Sequence, residues 1–505
     1  MSVDFITKFL EEHPGTAEQL GRVLRGMQTT ELLRKDHGAV ESWLFDEGTE
    51  LLRQIFQAHL DIRANEEVEM ESVRGADGLE RNHCKPGCER PLMTLFGEVT
   101  VRRYAYGKYG GQNLYPLDAK LNLPAHKYSA GMKRRAVEEE IRNSFDDAVA
   151  SVKRTTGGKV PKRQAENLAV EAAQDFEEFY GSRTVDTELT TDPLIMSVDG
   201  KGIVMRKDAL REATKRAAEK EQHKLKTRLS RGEKSNRKRM ALAATLYTIE
   251  RNIRSAETIM MPKSGKLAER KAQPRARNKR VWASVERDPR AVVDEVFQEA
   301  LRRDPKQKRD WVMLVDGQRQ QLNNIADSSK RYGAESITLI LDFIHVLEYL
   351  WNAAYCFHAE GSEAAEKWVG KRALLILQGK SSNVAAGMRR SATLHKLSAK
   401  ARKQVDVCAN YLLKYRNMLR YDVFLAKGFP IATGVIEGAC RHLIKDRLNI
   451  TGARWGLEGA EAILKLRSIR SSDDLDEYWT FHQAQSFDRN HGSRYATLPF
   501  MMKAA

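Results

Sequence analysis

The chain has 505 residues, of which 41% are apolar and 30% are charged, and its formal net charge is +17. This length predicts several domains, because a single hydrophobic core rarely grows beyond about 250 to 300 residues. The composition excludes a disordered or fibrous protein, and the positive charge favours a polyanionic partner, nucleic acid before a membrane surface. The five cysteines are scattered, and the N-terminus lacks the pattern of a signal peptide. We therefore expect a cytoplasmic protein in a reducing compartment, with no membrane segment.

The N-terminal part changes from a helical to a strand pattern. Residues 1–75 carry apolar side chains at helical spacing, which predicts a helical module. Residues 76–135 contain two short runs rich in Val, Thr, Phe and Tyr. These runs predict a β-hairpin that turns near Gly97.

Two helices separated by a glycine-containing turn are predicted in residues 136–188. Ser144 is a suitable N-cap for the first helix, and Pro161 suits the opening turn of the second. The pair resembles a helix-turn-helix, whose second helix would present four side chains to base edges: Lys162, Arg163, Gln164 and Asn167. An ordinary helical hairpin explains the same pattern, so both interpretations stay open.

Positive charge is concentrated in two stretches. Residues 206–239 contain 14 basic and 5 acidic residues, and residues 263–280 contain 8 basic and 1 acidic. Either stretch alone is typical of a solvated loop. Because both flank one candidate strand, we expect a DNA-facing surface that contacts phosphates, with three candidate residues at the strand start: Arg237, Lys238 and Arg239.

Three continuous apolar runs each lead into an aspartate. LIMSV precedes Asp199, WVMLV precedes Asp316, and ITLIL precedes Asp342. Such runs predict strands that are buried on both faces of a sheet, and ligands of open α/β sheets bind beyond the carboxyl ends of the strands. Any one of these aspartates could instead be a turn or helix cap.

A helical block follows between His345 and about Lys427. A further helix is predicted after Thr433, with an apolar stripe of Ile436, Ala439, Cys440, Leu443, Ile444 and Leu448. Glu437 lies beside this stripe. From spacing alone, Glu437 could simply form an i,i+4 pair with Arg441.

Carboxylates from distant segments suit one particular chemistry. Cleaving and joining DNA needs positive charge at both the attacking and the leaving oxygen, which two divalent ions supply. Mg²⁺, or Mn²⁺ in its place, prefers carboxylate oxygens. Asp199, Asp316 and Glu437 could together hold such ions.

Five segments support this interpretation, because in this order they resemble the bacterial insertion-sequence transposases of the Kra group, relatives of the Mutator-like element transposases. The segments are SVDGKG (197–202), LVDGQ (314–318), LDFIHVLEYLW (341–351), GFPIATGVIEG (428–438) and TGARW (451–455). The resemblance implies an α/β fold with a ribonuclease-H-like core, in which Asp199, Asp316 and Glu437 are the three metal-binding catalytic acids. The expected parts are a core from 189–355, a helical insertion from 356–429, a final core helix in 430–470 and a C-terminal tail in 471–505.

The same resemblance suggests roles for further residues. Asp342 and His345 match a motif that would brace the site or contact DNA, although a lone histidine is also common in cores. Arg454 and Trp455 could hold a distorted DNA end, with packing of Trp455 as the alternative. Two more candidates for DNA contact lie after Glu437: Arg441 and Lys445. Zinc is not expected, because Cys84 and Cys88 lack a full set of ligands.

The implied function is a DDE transposase that acts as at least a homodimer. It binds the inverted repeats of its element, cleaves the DNA at the element's ends and joins the freed ends to target DNA. Two rivals share these features. A nuclease of the same fold would cut without joining, and a domesticated DNA-binding protein would bind repeats and ignore Mg²⁺.

Overall fold

The computed structural model describes residues 3–184, 190–220, 224–225, 227, 230, 236–260, 274–334 and 336–497. The chain divides into two compact units. The first comprises Met1–Gly181 with Leu475–Ala505, and the second comprises Ser182–Asp474. The C-terminal segment therefore belongs to the same unit as the N-terminus.

The first unit combines helices with short antiparallel sheets. Its helices are α1 (Val3–Glu12), α2 (Pro14–Gly26), α3 (Thr30–Leu33), α4 (His37–Asn65), α5 (Pro116–Lys120), α6 (Ala130–Glu140), α7 (Phe145–Thr155), α8 (Lys162–Ala173), α9 (Phe176–Ser182) and α22 (Leu475–Asn490). Its strands are β1 (Val73–Arg74), β2 (Glu80–Arg81), β3 (His83–Thr94) and β4 (Gly97–Gly107).

The hairpin prediction is confirmed. Strands β3 and β4 are antiparallel and pair from His83 with Gly107 to Thr94 with Gly97. Gly97 has a φ of 126°, which a side chain would strain. Helix α4 is fixed to this hairpin through Gln57, whose side-chain amide exchanges hydrogen bonds of 2.9 and 2.8 Å with the backbone of Thr100.

The predicted helix pair is present as α7 and α8, and α6 packs against both. Ser144 caps α7 as expected, because its side chain accepts the backbone N–H of Asp147. The buried side of α8 is formed by Ala165, Leu168, Ala169, Ala172 and Ala173.

Helix α22 completes the first unit through buried polar contacts. The Tyr478 hydroxyl donates to the carbonyl of Ala172 at 2.5 Å, and His482 Nδ1 lies 2.6 Å from the carboxylate of Asp175. His482 is fully buried, and Arg489 pairs with the same carboxylate. The C-terminal residues, for which the sequence suggested no role, are thus part of the packing of this unit.

The second unit is built on a mixed sheet. Its five strands are β5 (Leu194–Val204), β6 (Lys238–Thr248), β7 (Arg277–Ser284), β8 (Trp311–Val315) and β9 (Thr338–Leu341), in the order β7-β6-β5-β8-β9. β7, β6 and β5 are antiparallel neighbours, whereas β8 runs parallel to β5 and β9 parallel to β8. The α/β class is confirmed.

The helices of the second unit are α10 (Glu212–Glu219), α11 (Ala256–Met260), α12 (Pro289–Arg303), α13 (Arg319–Arg331), α14 (Phe343–Ala354), α15 (Glu363–Leu377), α16 (Ser381–Leu394), α17 (Ala399–Lys414), α18 (Tyr421–Ala426), α19 (Gly434–Ala439), α20 (Asp446–Leu448) and α21 (Leu457–Ser471). Short 3₁₀ turns cover Lys207–Ala209 and Arg416–Leu419, and a π-helical turn covers Cys440–Lys445. The helical block predicted after His345 is confirmed as α14 to α18.

Helix α21 and the following residue, Ser472, cover the outer edge of β7. The outward N–H groups of Val281 and Ala283 donate to the hydroxyls of Ser472 and Ser468, at 2.9 and 3.2 Å. The Val285 N–H donates to Glu461 at 2.8 Å. A strand edge that is satisfied in this way is not available for pairing with another chain.

Two expectations change. The strand that contains LIMSV does not end before Asp199 but continues to Val204, because it pairs with β6 along its full length. Strand β7 begins inside the second basic stretch, where Arg277, Lys279 and Arg280 conceal the strand pattern. Residues 263–273 of that stretch lie outside the described residues, as do residues 221–223, 226, 228–229 and 231–235 of the first.

No helix among the described residues is both long and apolar enough to cross a membrane.

Candidate active site

Asp199 lies within β5, whereas Asp316 and Asp342 are the first residues after β8 and β9. Ser197 pairs with Leu314 in the parallel ladder of β5 and β8, and Val315 pairs with Leu341 in the ladder of β8 and β9. Counting onward past the last paired residues brings Asp199, Asp316 and Asp342 level with one another at this end of the sheet. Because adjacent strands lie about 4.8 Å apart, the backbones of these residues start from neighbouring positions.

Alternation along β5 determines which side of the sheet Asp199 faces. The indole of Trp282 donates to Glu295 on α12 at 2.9 Å, so Trp282 faces α12. Trp282 is opposite Ala244, and Ala244 is opposite Val198, so Val198 shares that face. Asp199, the next residue, points to the other face, where α19 and the π-helical turn pack against β5.

Lys201 is the immediate partner of Asp199. Its Nζ lies 3.0 Å from Asp199 Oδ2, and the two side chains are 53% and 28% exposed. The hydrogen bond and charge of Asp199 raise the pKa of Lys201 in spite of partial burial, and the charge of Glu437 adds to the effect. Lys201 is therefore a charged ammonium that is ion-paired with Asp199, and the charge of Glu437 also favours its protonated form.

Glu437 lies in α19. The predicted apolar stripe is buried, but it runs through α19, the π-helical turn and α20 instead of along one continuous α-helix. The Thr433 side chain does not cap the helix as expected, because its hydroxyl makes no hydrogen bond to the N–H groups of the first turn. It lies instead 2.9 Å from Asp342 Oδ2 and 3.3 Å from Glu437 Oε1. Glu437 does not pair with Arg441, which lies 3.7 Å from Asp446.

Cys440 is a buried neighbour of Asp199. Its thiol lies 3.9 Å from the carbonyl oxygen of Asp199, and the side chain is buried. Burial raises the pKa of the Cys440 thiol, and the nearby charge of Asp199 adds to this effect. The thiol is therefore neutral at physiological pH and contributes packing rather than charge.

The turn after Asp316 is held by two tyrosines from α17 and its end. Tyr411 donates its hydroxyl to the carbonyl of Asp316 at 3.1 Å, and Tyr415 donates to the carbonyl of Gly317 at 2.5 Å. Gly317 has a φ of 88°, and a Cβ there would lie 3.2 Å from atoms of Leu341 and Tyr415. The helical block thus fixes the backbone that carries Asp316.

Asp342 is buried, and its carboxylate connects two segments of the chain. Its carboxylate caps α14 by accepting the N–H of Ile344 at 3.2 Å, and it also accepts the N–H of Thr433 at 3.3 Å. It therefore joins the end of β9 to the segment that precedes Glu437. His345 is partly exposed, with Nδ1 3.2 Å from Glu348 and its ring edge-on to Tyr411.

The carboxylates of Asp199, Asp316 and Glu437 are the type of ligand that a hard divalent ion prefers. They come from β5, from the residue after β8 and from α19. Among the described residues, no group of three or more His, Cys, Asp or Glu side chains is arranged to hold a metal ion as it stands. Asp199, Asp316 and Glu437 are thus brought to one region without being assembled around a common centre. Metal binding would require movement of their side chains.

The first unit carries one group of candidate DNA-binding residues. The N-terminal half of α8 exposes all four predicted side chains, Lys162, Arg163, Gln164 and Asn167. Lys162 pairs with Asp146 at 2.7 Å, and Arg163 with Glu166 at 3.4 Å. Gln164 and Asn167 have uncharged amide side chains, and both are exposed to solvent.

The candidates at the start of β6 differ from one another. Arg237 and Lys238 are exposed. Arg239 donates to the carbonyls of Val285 and Ala209 at 2.7 and 3.1 Å, and also to that of Glu286. Its guanidinium therefore anchors the strand in this structure.

The remaining candidates lie after Glu437. Arg441, Lys445 and Arg454 are exposed. Trp455 is only 7% exposed, donates its indole N–H to the carbonyl of Leu448 at 3.0 Å, and lies beneath the guanidinium of Arg447. These contacts favour the packing alternative for Trp455.

Part of the chain matches the model of a protein family. Residues 49–231 match UPF0236, an uncharacterised protein family. The matched range includes the hairpin, α7, α8 and Asp199, and it ends before Asp316 and Glu437. No curated protein was found that matches the chain.

Sequence reasoning missed several residues of the site. Lys201 lies in the SVDGKG segment, and its position two residues after Asp199 in a strand was the available signal. Nothing local indicated Tyr411 or Tyr415, because their contacts join residues that are 95 and 98 positions apart.

Proposed function

We propose that this protein is a DDE transposase, which cleaves DNA at the ends of its element and joins the freed ends to target DNA. The proposal includes a ribonuclease-H-like core for the second unit, with Asp199, Asp316 and Glu437 as the catalytic acids. The observation that carries it is that Asp199 on β5 and Asp316, directly after the parallel neighbour β8, come level by extension of the β5–β8 register, with Glu437 on a helix packed against β5.

The sheet order supports this assignment. Three antiparallel strands followed by two parallel ones, with α12 and α19 both packing against them, are compatible with a ribonuclease-H-like core. The helical block between β9 and Glu437 agrees with the insertion that the resemblance implies. The exposed start of α8 offers a surface for reading DNA ends.

The chemistry divides between the acids and their supports. Asp199, Asp316 and Glu437 would hold two Mg²⁺ or Mn²⁺ ions, which stabilise charge on the attacking and leaving oxygens of an in-line displacement when bound. Tyr411 and Tyr415 keep the Asp316 backbone in place, and Asp342 aligns the Glu437 helix through Thr433. Basic residues at the site contact the phosphates and orient the DNA.

The test is a strand-transfer assay with Mg²⁺ and the inverted repeats that flank the coding sequence. We expect Asp199→Ala, Asp316→Ala and Glu437→Ala each to reduce joining to background. Asp327→Ala is the matched control, because Asp327 is an exposed carboxylate on α13 of the same unit. Wild-type joining by all three site variants would refute the proposal.

The assay also separates the two rivals. A nuclease of the same fold would produce cut ends that are never joined. A domesticated DNA-binding protein would retain the repeats in a binding assay without cutting them in Mg²⁺. The proposed homodimer on paired ends is tested on the same DNA, because the mass of the complex gives the number of chains that it contains.

A further inference from the structure

We propose that Lys201 is a built-in cation that occupies the acidic site before metal binds and competes with the divalent ion for Asp199. This inference rests on the proposed function, because it concerns how that site is loaded. It assigns Lys201 a positioning role rather than a catalytic one.

The geometry follows from strand alternation. Asp199 and Lys201 are two residues apart on β5, so both side chains point to the face that α19 covers. The ammonium lies 3.0 Å from the Asp199 carboxylate. Glu437 is the second of the catalytic acids whose charge acts on this ammonium.

The other hydrogen bonds to Asp316 and Glu437 come from neutral donors. Asp316 accepts the backbone N–H of Gln318 at 2.8 Å, and Glu437 accepts the hydroxyl of Thr433. These neutral donors bring no positive charge to the acids. In the described contacts of the three acids, the compensating cation is therefore Lys201.

Competition follows from the chemistry of the ligands. A carboxylate oxygen that is ion-paired to an ammonium must be released before it can coordinate Mg²⁺ or Mn²⁺ directly. Lys201 has a long flexible side chain and is about half exposed, so it can leave without disturbing the strand. Once released, its ammonium is free to meet a DNA phosphate, which would couple metal loading to DNA binding.

The experiment measures Mn²⁺ binding to the full-length protein without DNA, from the electron paramagnetic resonance signal of free Mn²⁺. Lys201→Gln should bind Mn²⁺ about two- to fivefold more tightly than wild type, the range that a partly exposed ion pair supports. Lys201→Arg keeps the charge and should bind like wild type. Lys403→Gln changes an exposed lysine on α17 and is the matched control.

Asp199→Ala shows which binding event belongs to this site, because that event should weaken when the carboxylate is removed. If Lys201→Gln binds Mn²⁺ as tightly as wild type or more weakly, while Asp199→Ala lowers affinity, the role of Lys201 is refuted and the proposed metal site stands. If wild type shows no Mn²⁺ binding that depends on Asp199, both the metal site and the inference fail. Circular dichroism verifies that each variant is folded.

Discussion

Replacing Glu171 on α8 should make the first unit less stable at neutral pH, with a loss that shrinks in acid. The Glu171 carboxylate lies 2.9 Å from Lys133 Nζ and 3.0 Å from His126 Nε2. Burial raises the pKa of Glu171, but the His126 hydrogen bond and the Lys133 charge outweigh it and lower this pKa to about 2. Lys133 is itself buried and lies 3.0 Å from His482, so the carboxylate is its counter-ion.

The magnitude follows from the displaced pKa. The difference between the ordinary value of 4.5 and about 2 corresponds to about 3.4 kcal/mol at 25 °C. The Glu171 side chain is 30% exposed, and solvent screening reduces the expected contribution to about 2 kcal/mol. Because the folded-state pKa is lowered, this stability is fully present above pH 4.5 and is lost as the pH falls towards 2.

The assay is amide hydrogen exchange of α8 peptides in increasing urea, which gives the free energy of opening for this helix. Glu171→Gln should lower that free energy by about 2 kcal/mol at pH 7, and the difference from wild type should be smaller at pH 3.5. Glu166→Gln is the control, because its partner Arg163 is 77% exposed and the pair contributes little. A difference that is independent of pH, or equal in the two variants, would refute the reasoning.

Three further predictions concern the candidate site and the DNA surface. Gly317→Ala should cost about 1 to 3 kcal/mol because of its positive φ and should slow strand transfer at least about tenfold by displacing Asp316. Gly333→Ala, which also has a positive φ but open space around it, should leave strand transfer unchanged. Thr433→Val removes the hydroxyl that contacts both carboxylates and should destabilise the chain by about 1 to 3 kcal/mol in urea denaturation, whereas Thr433→Ser should be close to neutral. Gln164→Ala should weaken binding to the cognate repeat by about 1 to 3 kcal/mol and relax its specificity, whereas Lys238→Ala, at an exposed candidate for phosphate contact, should weaken binding to all sequences and lower the salt slope by about 1. Fluorescence anisotropy over a range of salt concentrations separates these two effects, and equal slopes for both variants would contradict the assigned roles.

Much of the fold could be predicted because its signals are local. Apolar runs before Asp316 and Asp342, helical spacing after Thr433, and a glycine at the hairpin turn are all patterns within a few residues. Strand β7 could not be predicted, since the residues at its start are basic and its hydrogen-bond partners lie on β6, on α21 and at Ser472 just after α21. The length of β5 beyond Asp199 was missed for the same reason, because pairing with β6 sustains it.

The sequence by itself determined the residue types at the site and the order of the segments that carry them. The tertiary structure decided which of them meet. The parallel pairing of β5 with β8 brings Asp199 level with Asp316, and alternation on β5 directs Lys201 to the side of the sheet on which α19 packs. It also decided that Trp455 is buried and that α22 completes the N-terminal unit. The physical reason is that an apolar pattern specifies which face of an element is buried, whereas the partner of a charged or polar side chain depends on packing between segments far apart in the chain.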